Sequence, residues 1–319
     1  MATTQSTEQI TKSTRVAFGE ALVEIGRKNP KVVALTADTL TLSCLDEFMR
    51  QFPGRAFDIG IAEQNLLGMS AGLASAGLIP FATSYAPFLT TRSLEQMRND
   101  LAYTGFNVKV VAMAGGFAIS VGGSTHHAID DLAFTRAIPR MTVMVPADAY
   151  DSYKATHALA ELDGPAYLRL GGRIAEPVLG MGEYPFTLGK AVQLRDGKDL
   201  TIIACGSLVL PSLKAAEILA GEGVEARVLN MHTIKPLDRE AILKAAKDTG
   251  RIVTAEEHSV LGGLGSAVAE VVATSHPVPM RMLGIQDQFV TIGSLPELYE
   301  RYKLTPAGVV ETAKAVLEA

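Results

Sequence analysis

The chain of 319 residues has no tryptophan and only two cysteines, Cys44 and Cys205, far apart and in no ligand-like spacing. Two such thiols specify neither a disulfide framework nor a zinc site, and they read as separate free thiols. No apolar run approaches the roughly 20 residues that a membrane helix needs. The opening stretch, Met1 to Lys12, is polar and rich in Thr and Gln where a signal peptide would carry an apolar core. Together these absences predict a cytoplasmic protein with no membrane association and a short mobile arm over residues 1–12. Basic blocks and basic residues interleaved with aromatics are also lacking, and the formal charge is -5. That balance offers no electrostatic footprint for nucleic acid, so the expected partner is a small molecule or another protein.

What is present is apolar substance in regular alternation. Hydrophobic residues make up 48% of the chain, enough for one large or two medium cores and so for about two domains. Short runs rich in β-branched residues alternate with amphipathic stretches from end to end, which predicts an α/β fold of mostly parallel sheets flanked by helices. The expected strands are Val32 to Thr36, Leu78 to Thr83, Val108 to Met113, Met141 to Val145 and Tyr167 to Leu170, then Leu200 to Cys205, Ala226 to Leu229, Ile252 to Ala255 and Met280 to Ile285. Between the two groups, Gly171 to Phe186 is rich in Gly and Pro with little periodicity, as in a linker. The expected organisation is a first domain over 13–176, a linker over 177–189 and a second domain over 190–319. Thr305 before Pro306 predicts an N-cap and first-turn proline opening a closing helix.

The most informative stretch is Phe57-Asp58-Ile59-Gly60-Ile61-Ala62-Glu63-Gln64-Asn65, a strand end running into the Gly- and Ala-rich segment Leu66 to Ala76. It sets one carboxylate near the C-terminal end of a strand, where open α/β sheets bind ligands. Taken alone, Glu63 reads first as a first-turn acid favoured by the helix dipole, and the family context below reverses that reading. The small residues Gly68, Ser70, Ala71, Gly72, Ala74 and Ser75 would let another helix approach closely. His126, His127, Asp130 and Asp131 lie near one another in sequence, but their spacing fits no common metal motif. The Gly-rich run Leu261-Gly-Gly-Leu-Gly265 after His258 lacks the pattern of a dinucleotide fingerprint and reads as a structural turn of the second domain.

In their order and spacing these segments resemble the pyrimidine-binding and C-terminal domains of the transketolase family, which also includes 1-deoxyxylulose-5-phosphate synthase and the β subunits of 2-oxoacid dehydrogenases. The resemblance covers nearly the whole chain. It rests on Gly60-Ile-Ala-Glu-Gln64, Tyr85-Ala-Pro-Phe88-Leu89, Arg98-Asn-Asp100, Ser124-Thr-His-His127 with Asp130-Asp131, Ile138-Pro139, Val145-Pro-Ala-Asp148, Gly164-Pro165, Arg169, and Glu256-Glu-His258-Ser-Val-Leu-Gly-Gly-Leu-Gly265. It implies thiamine diphosphate as cofactor, with Glu63 holding a proton on the aminopyrimidine ring. It also implies that Tyr85 and Phe88 pack on that ring, with core packing as the alternative, and that Ile61 adjoins the cofactor. Asp38 falls where the family has an acid near the thiazolium, a surface turn being its other reading. His126 matches a substrate-side histidine. Arg169 and Arg173 lie in the region where the family grips a substrate phosphate, or else are solvated or interface charges.

Two departures and one omission qualify that likeness. Gly122 stands four residues before His126, where sugar-phosphate transketolases usually carry an acid that reads a hydroxyl, and Ala114 stands where many carry a phosphate-contacting histidine. Substrate identity is therefore open. The chain has no Gly-Asp-Gly, the family's motif for the metal and diphosphate, which need converging oxygen ligands and amide donors. The resemblance then implies no metal site in this chain and a partner subunit carrying Gly-Asp-Gly, which holds the diphosphate with Mg2+, Ca2+ or Mn2+ in an α2β2 heterotetramer. The expected activity is ketol transfer between sugars. A 2-oxoacid dehydrogenase β subunit, a deoxyxylulose-phosphate-type synthase and a non-catalytic scaffold are the alternatives.

Overall fold

Parallel strands covered on both faces read as unbroken apolar runs, and the Val-, Ile- and Leu-rich runs of this chain become such strands. The computed structural model describes residues 12–171 and 184–319. The first set of strands is β1 (Val32–Thr36), β2 (Ala56–Asp58), β3 (Ile79–Tyr85), β4 (Lys109–Met113), β5 (Thr142–Met144) and β6 (Ala166–Arg169). The second is β7 (Val192–Arg195), β8 (Leu200–Ala204), β9 (Ala226–Asn230), β10 (Thr233–Lys235), β11 (Ile252–Ser259) and β12 (Met280–Ile285). They form a seven-stranded sheet in the order β10-β5-β6-β4-β3-β1-β2 and a five-stranded sheet in the order β12-β11-β8-β9-β7. Only the edge strands β10 and β7 run antiparallel to their neighbours. Every residue of β1, β4 and β8 is buried.

All nine expected strands are present, with ends shifted by a few residues. A tenth strand, β2, supplies the strand end read at Phe57-Asp58; it has three residues, two of them exposed. Two further strands were not expected. β7 is an edge strand with no fully buried residue. β10 lies in the second half of the chain yet pairs with β5 and completes the edge of the first sheet. The closing helix Pro306–Leu317 starts as expected, the Thr305 side chain accepting from the Gly308 amide. Most of the expected arm over 1–12 and much of the 171–186 segment fall on residues 1–11 and 172–183, outside the described residues.

The Gly-rich turn after His258 joins the two sheets' layers. Glu256 accepts hydrogen bonds from the Leu264 and Gly265 amides, both 2.7 Å, at the first turn of the helix Leu264–Ser275. A Cβ on Gly263 would lie 2.1 Å from the Glu256 carboxylate, and one on Gly262 2.5 Å from Cβ of Ala133, so neither close approach tolerates a side chain. His258 Nε2 accepts from the Leu132 and Ala133 amides at 3.2 and 3.4 Å, while its Nδ1 faces the Ser259 carbonyl at 2.7 Å. That pattern has Nδ1 donating and Nε2 accepting. The turn is structural, as the sequence suggested.

Candidate active site

Parallel strands deliver their C-terminal ends to one edge of the sheet, and the loops that follow β1, β2, β3 and β4 meet there. Asp58, the last residue of β2, uses Oδ1 to accept from the amides of Asp38 at 2.9 Å and Gly60 at 3.0 Å, tying the loops after β1 and β2 together. Gly60, at φ 74, takes the left-handed turn that lets the chain enter a helix. The helix is Glu63–Ser75, three residues longer at its start than the apolar pattern indicated, so Glu63 occupies its first turn. The dipole of the helix favours a carboxylate there. Glu63 is 1% exposed. Its Oε1 accepts from the Ser84 hydroxyl at 3.3 Å, and its Oε2 forms an ion pair with Arg92 Nη1 at 2.6 Å.

A π-helical turn, Phe88–Arg92, follows β3 and sets Phe88 beside Tyr85 and Arg92. The Phe88 ring lies edge-on to Tyr85 with centroids 5.9 Å apart and edge-on to His126 at 5.2 Å, and Tyr85 and His126 are 6.3 Å apart. The Arg92 guanidinium carbon stands 4.6 Å from the centre of the Phe88 ring. Glu63, Tyr85, Phe88 and His126 are thus brought to one place from three separate segments. His126 packs closely over Gly122. A Cβ on Gly122 would lie 2.9 Å from Cβ of His126 and 2.8 Å from Ile119. An acid cannot occupy that position while His126 stays where it is.

The other expected site residues make none of these contacts. Asp38, at φ 56, is exposed beyond the end of β1. Ile61 is 74% exposed in the loop before Glu63. Arg169 is buried: Nε donates to Asp131 Oδ2 at 2.9 Å, and Nη2 donates to the carbonyls of Ala128 at 2.7 Å and Glu257 at 2.9 Å. Burial opposes its charge, but Asp131 and Glu257 more than offset that and hold its pKa up. Arg173 lies outside the described residues. His127, Asp130 and Asp131 do not converge, and among the described residues no group of three or more His, Cys, Asp or Glu side chains is arranged to hold a metal.

Three residues enter the site that sequence reasoning passed over. Ser84 and Arg92 meet Glu63 across 21 and 29 residues, and no spacing pattern announces contacts of that range. Arg15 is the third. A cleft of about 560 Å³ is lined by Tyr85, Ala114, Ile119 and Val121, and among its described lining residues Arg15 carries the only charge. Its Nη1 donates to the Leu42 carbonyl at 2.8 Å.

A buried carboxylate beside a hydroxyl, with the aromatic pair Tyr85 and Phe88 nearby through Arg92, suits a flat, proton-bearing heterocycle such as an aminopyrimidine. These residues fit that end of thiamine diphosphate. They offer no oxygen cluster for the metal that accompanies its diphosphate.

The transketolase pyrimidine-binding domain matches residues 11–174, and the transketolase C-terminal domain matches residues 189–309. The chain is 43% identical over 304 residues to the 6-deoxy-6-sulfo-D-fructose transketolase subunit of Clostridium sp. strain MSTE9, covering 95% of this chain and 94% of that protein. It is 42% identical over 299 residues to an apulose-4-phosphate transketolase subunit of Phocaeicola vulgatus, covering 94% of this chain and 96% of that one. Among solved structures, a split-gene transketolase in an inactive beta4 tetramer superposes with a TM-score of 0.88 at 44% identity, covering 96% of this chain and 99% of that one. The protein therefore belongs to the transketolase family of thiamine-diphosphate-dependent enzymes, and it resembles the subunits of split transketolases along almost its entire length.

Proposed function

We propose that this chain is the pyrimidine-binding half of a two-chain transketolase that moves a two-carbon ketol unit from a ketose donor to an aldose acceptor. The observation that carries this reading is the buried Glu63 carboxylate, hydrogen-bonded to Ser84 and set beside the Phe88 and Tyr85 rings at the C-terminal edge of a parallel sheet. Thiamine diphosphate, when bound, supplies the carbon nucleophile that cleaves the ketose beside its carbonyl. Glu63 holds the proton at the ring nitrogen of the aminopyrimidine, and Phe88 and Tyr85 flank the ring and keep water from it. Ile61 covers its edge, and Asp38 offsets the positive charge of the thiazolium. His126 holds or moves a proton at a substrate hydroxyl. Its neighbour Gly122 leaves that recognition to the imidazole alone.

Metal and diphosphate fall to a partner subunit carrying Gly-Asp-Gly, with Mg2+, Ca2+ or Mn2+, in an α2β2 assembly. Arg15, in the cleft beside Tyr85, suits an anionic group at the far end of the sugar. Sulfonate and phosphate are the anionic groups named for the substrates of the two related subunits.

The test is co-expression with a Gly-Asp-Gly-bearing chain, followed by a ketol-transfer assay over a panel of ketose phosphates and sulfonates. Turnover should need both chains. It should drop at least about 100-fold in Glu63→Gln, which keeps the shape of the side chain and removes the carboxylate. A stable, cofactor-loaded complex that transfers no ketol group but accepts 2-oxoacids would overturn the proposal.

A further inference from the structure

Arg92 performs two tasks at once in this chain. It donates to the Glu63 carboxylate at 2.6 Å and spreads its guanidinium over the Phe88 ring at 4.6 Å. Glu63 is sealed, its side chain 2% exposed, whereas the Arg92 side chain is 46% exposed. The cation reaches inward from solvent on a long flexible stem. Without it the buried carboxylate would keep only the Ser84 hydroxyl as a side-chain donor, and an uncompensated buried charge is costly. Withdrawal of Arg92 into water is cheap, provided something else meets Glu63.

A guanidinium is flat, cationic and edged with N–H donors. A protonated aminopyrimidine shares the flatness, the positive charge and an in-plane N–H donor. Both would use the Glu63 oxygens and an aromatic face of the Tyr85 and Phe88 pair. The π-helical turn Phe88–Arg92 fixes this coincidence, because it sets Arg92 one turn beyond Phe88 and on the same side.

We propose that Arg92 is an internal stand-in for the pyrimidine ring: it occupies the Glu63 and Phe88 subsite while the cofactor is absent and swings out to solvent when the cofactor loads. The inference rests on the reading of Glu63 given above. Its consequence is a competition built into the site. The cofactor must displace an ion pair, so its apparent affinity is reduced by the fraction of molecules whose subsite is open. The stand-in also keeps the site of an unpartnered subunit neutralised.

The experiment is calorimetric titration of the co-expressed complex with thiamine diphosphate and Mg2+, comparing wild type with Arg92→Met and Arg92→Lys. Met keeps an unbranched stem over Phe88 without the charge, and Lys keeps the charge without the flat fork. Arg92→Met should bind at least about tenfold tighter than wild type, and Arg92→Lys should gain less. In the wild-type complex, the arginine side-chain 15N resonance that Arg92→Met removes should change from slowly to rapidly exchanging with water as the cofactor loads. Wild-type binding with no gain in Arg92→Met, or an Arg92 resonance unmoved by loading, would sink the stand-in while leaving Glu63 as the pyrimidine partner. No binding to the wild-type complex would remove the reading of Glu63 and the stand-in with it.

Discussion

At the scale of single residues, the site depends on side chains that are absent as much as on those present. Gly122 lets His126 stand against the loop backbone, since a Cβ there would come within 2.9 Å of its own and within 2.8 Å of Ile119. The residue usual in sugar-phosphate transketolases could not be restored without moving the imidazole. Gly122→Asp should therefore lower kcat/KM by about 100-fold through displacement of the imidazole proposed to act on the substrate, with little change in melting temperature, because the loop is partly exposed. Steady-state kinetics beside a thermal melt would check this. A variant with unchanged kinetics would mean that His126 does not need its present position. Glu63, Tyr85, Phe88 and His126 were legible because a local motif surrounds each. Arg92 and Ser84 were not, since their contacts with Glu63 arise only when β3 comes to lie beside the loop after β2.

Secondary elements carry a different vulnerability. The segment between β9 and β10 sets His232 beside the first sheet, where its carbonyl accepts from the Val145 amide at 2.8 Å and its ring stacks on Phe186 at 4.2 Å and 19°. Burial pushes its pKa down to about 4. The unfolded chain takes up the proton near 6.5, so between pH 6.5 and 4 the unfolded state binds more protons than the folded one. Stability from this group is complete above 6.5 and is lost as pH falls through about 4. Wild type should lose about 3 kcal/mol more than His232→Phe across that window, the ring stack surviving in the variant. Denaturant unfolding at a series of pH values measures the difference, and parallel curves would show that His232 does not govern acid stability. The strands β1, β4 and β8 were visible in sequence as apolar runs buried throughout. Three-residue strands such as β2 and β10 hold too few residues to show a period.

At the scale of the whole molecule, the two sheets are coupled by buried charge. Arg169, the last residue of β6, is bonded to Asp131 and to the carbonyls of Ala128 and Glu257, the last of these on β11. Gly115 and Gly116 make room for this, since a Cβ on the first would lie 2.6 Å from Arg169 and one on the second 2.3 Å from Glu257. Replacing Arg169 by Met leaves Asp131 and Glu257 buried without their cation, which typically costs about 3–5 kcal/mol. Chemical denaturation of Arg169→Met should show a loss of that size. A variant of full stability with a raised KM for phosphorylated substrates would instead assign Arg169 to substrate, as the family resemblance implied.

The sequence by itself determined the α/β class, the order of nine strands, the place of the Glu63 motif and the lack of a Gly-Asp-Gly run. Each is written in local order, as hydrophobic period, turn chemistry or a short run of residues. Tertiary structure alone decided that β10 crosses to the first sheet, that Arg169 locks the joint between the sheets, and that Arg92 rests on Glu63 and Phe88. These depend on which strand ends become neighbours, and a parallel sheet brings together residues whose separation along the chain carries no trace of their meeting.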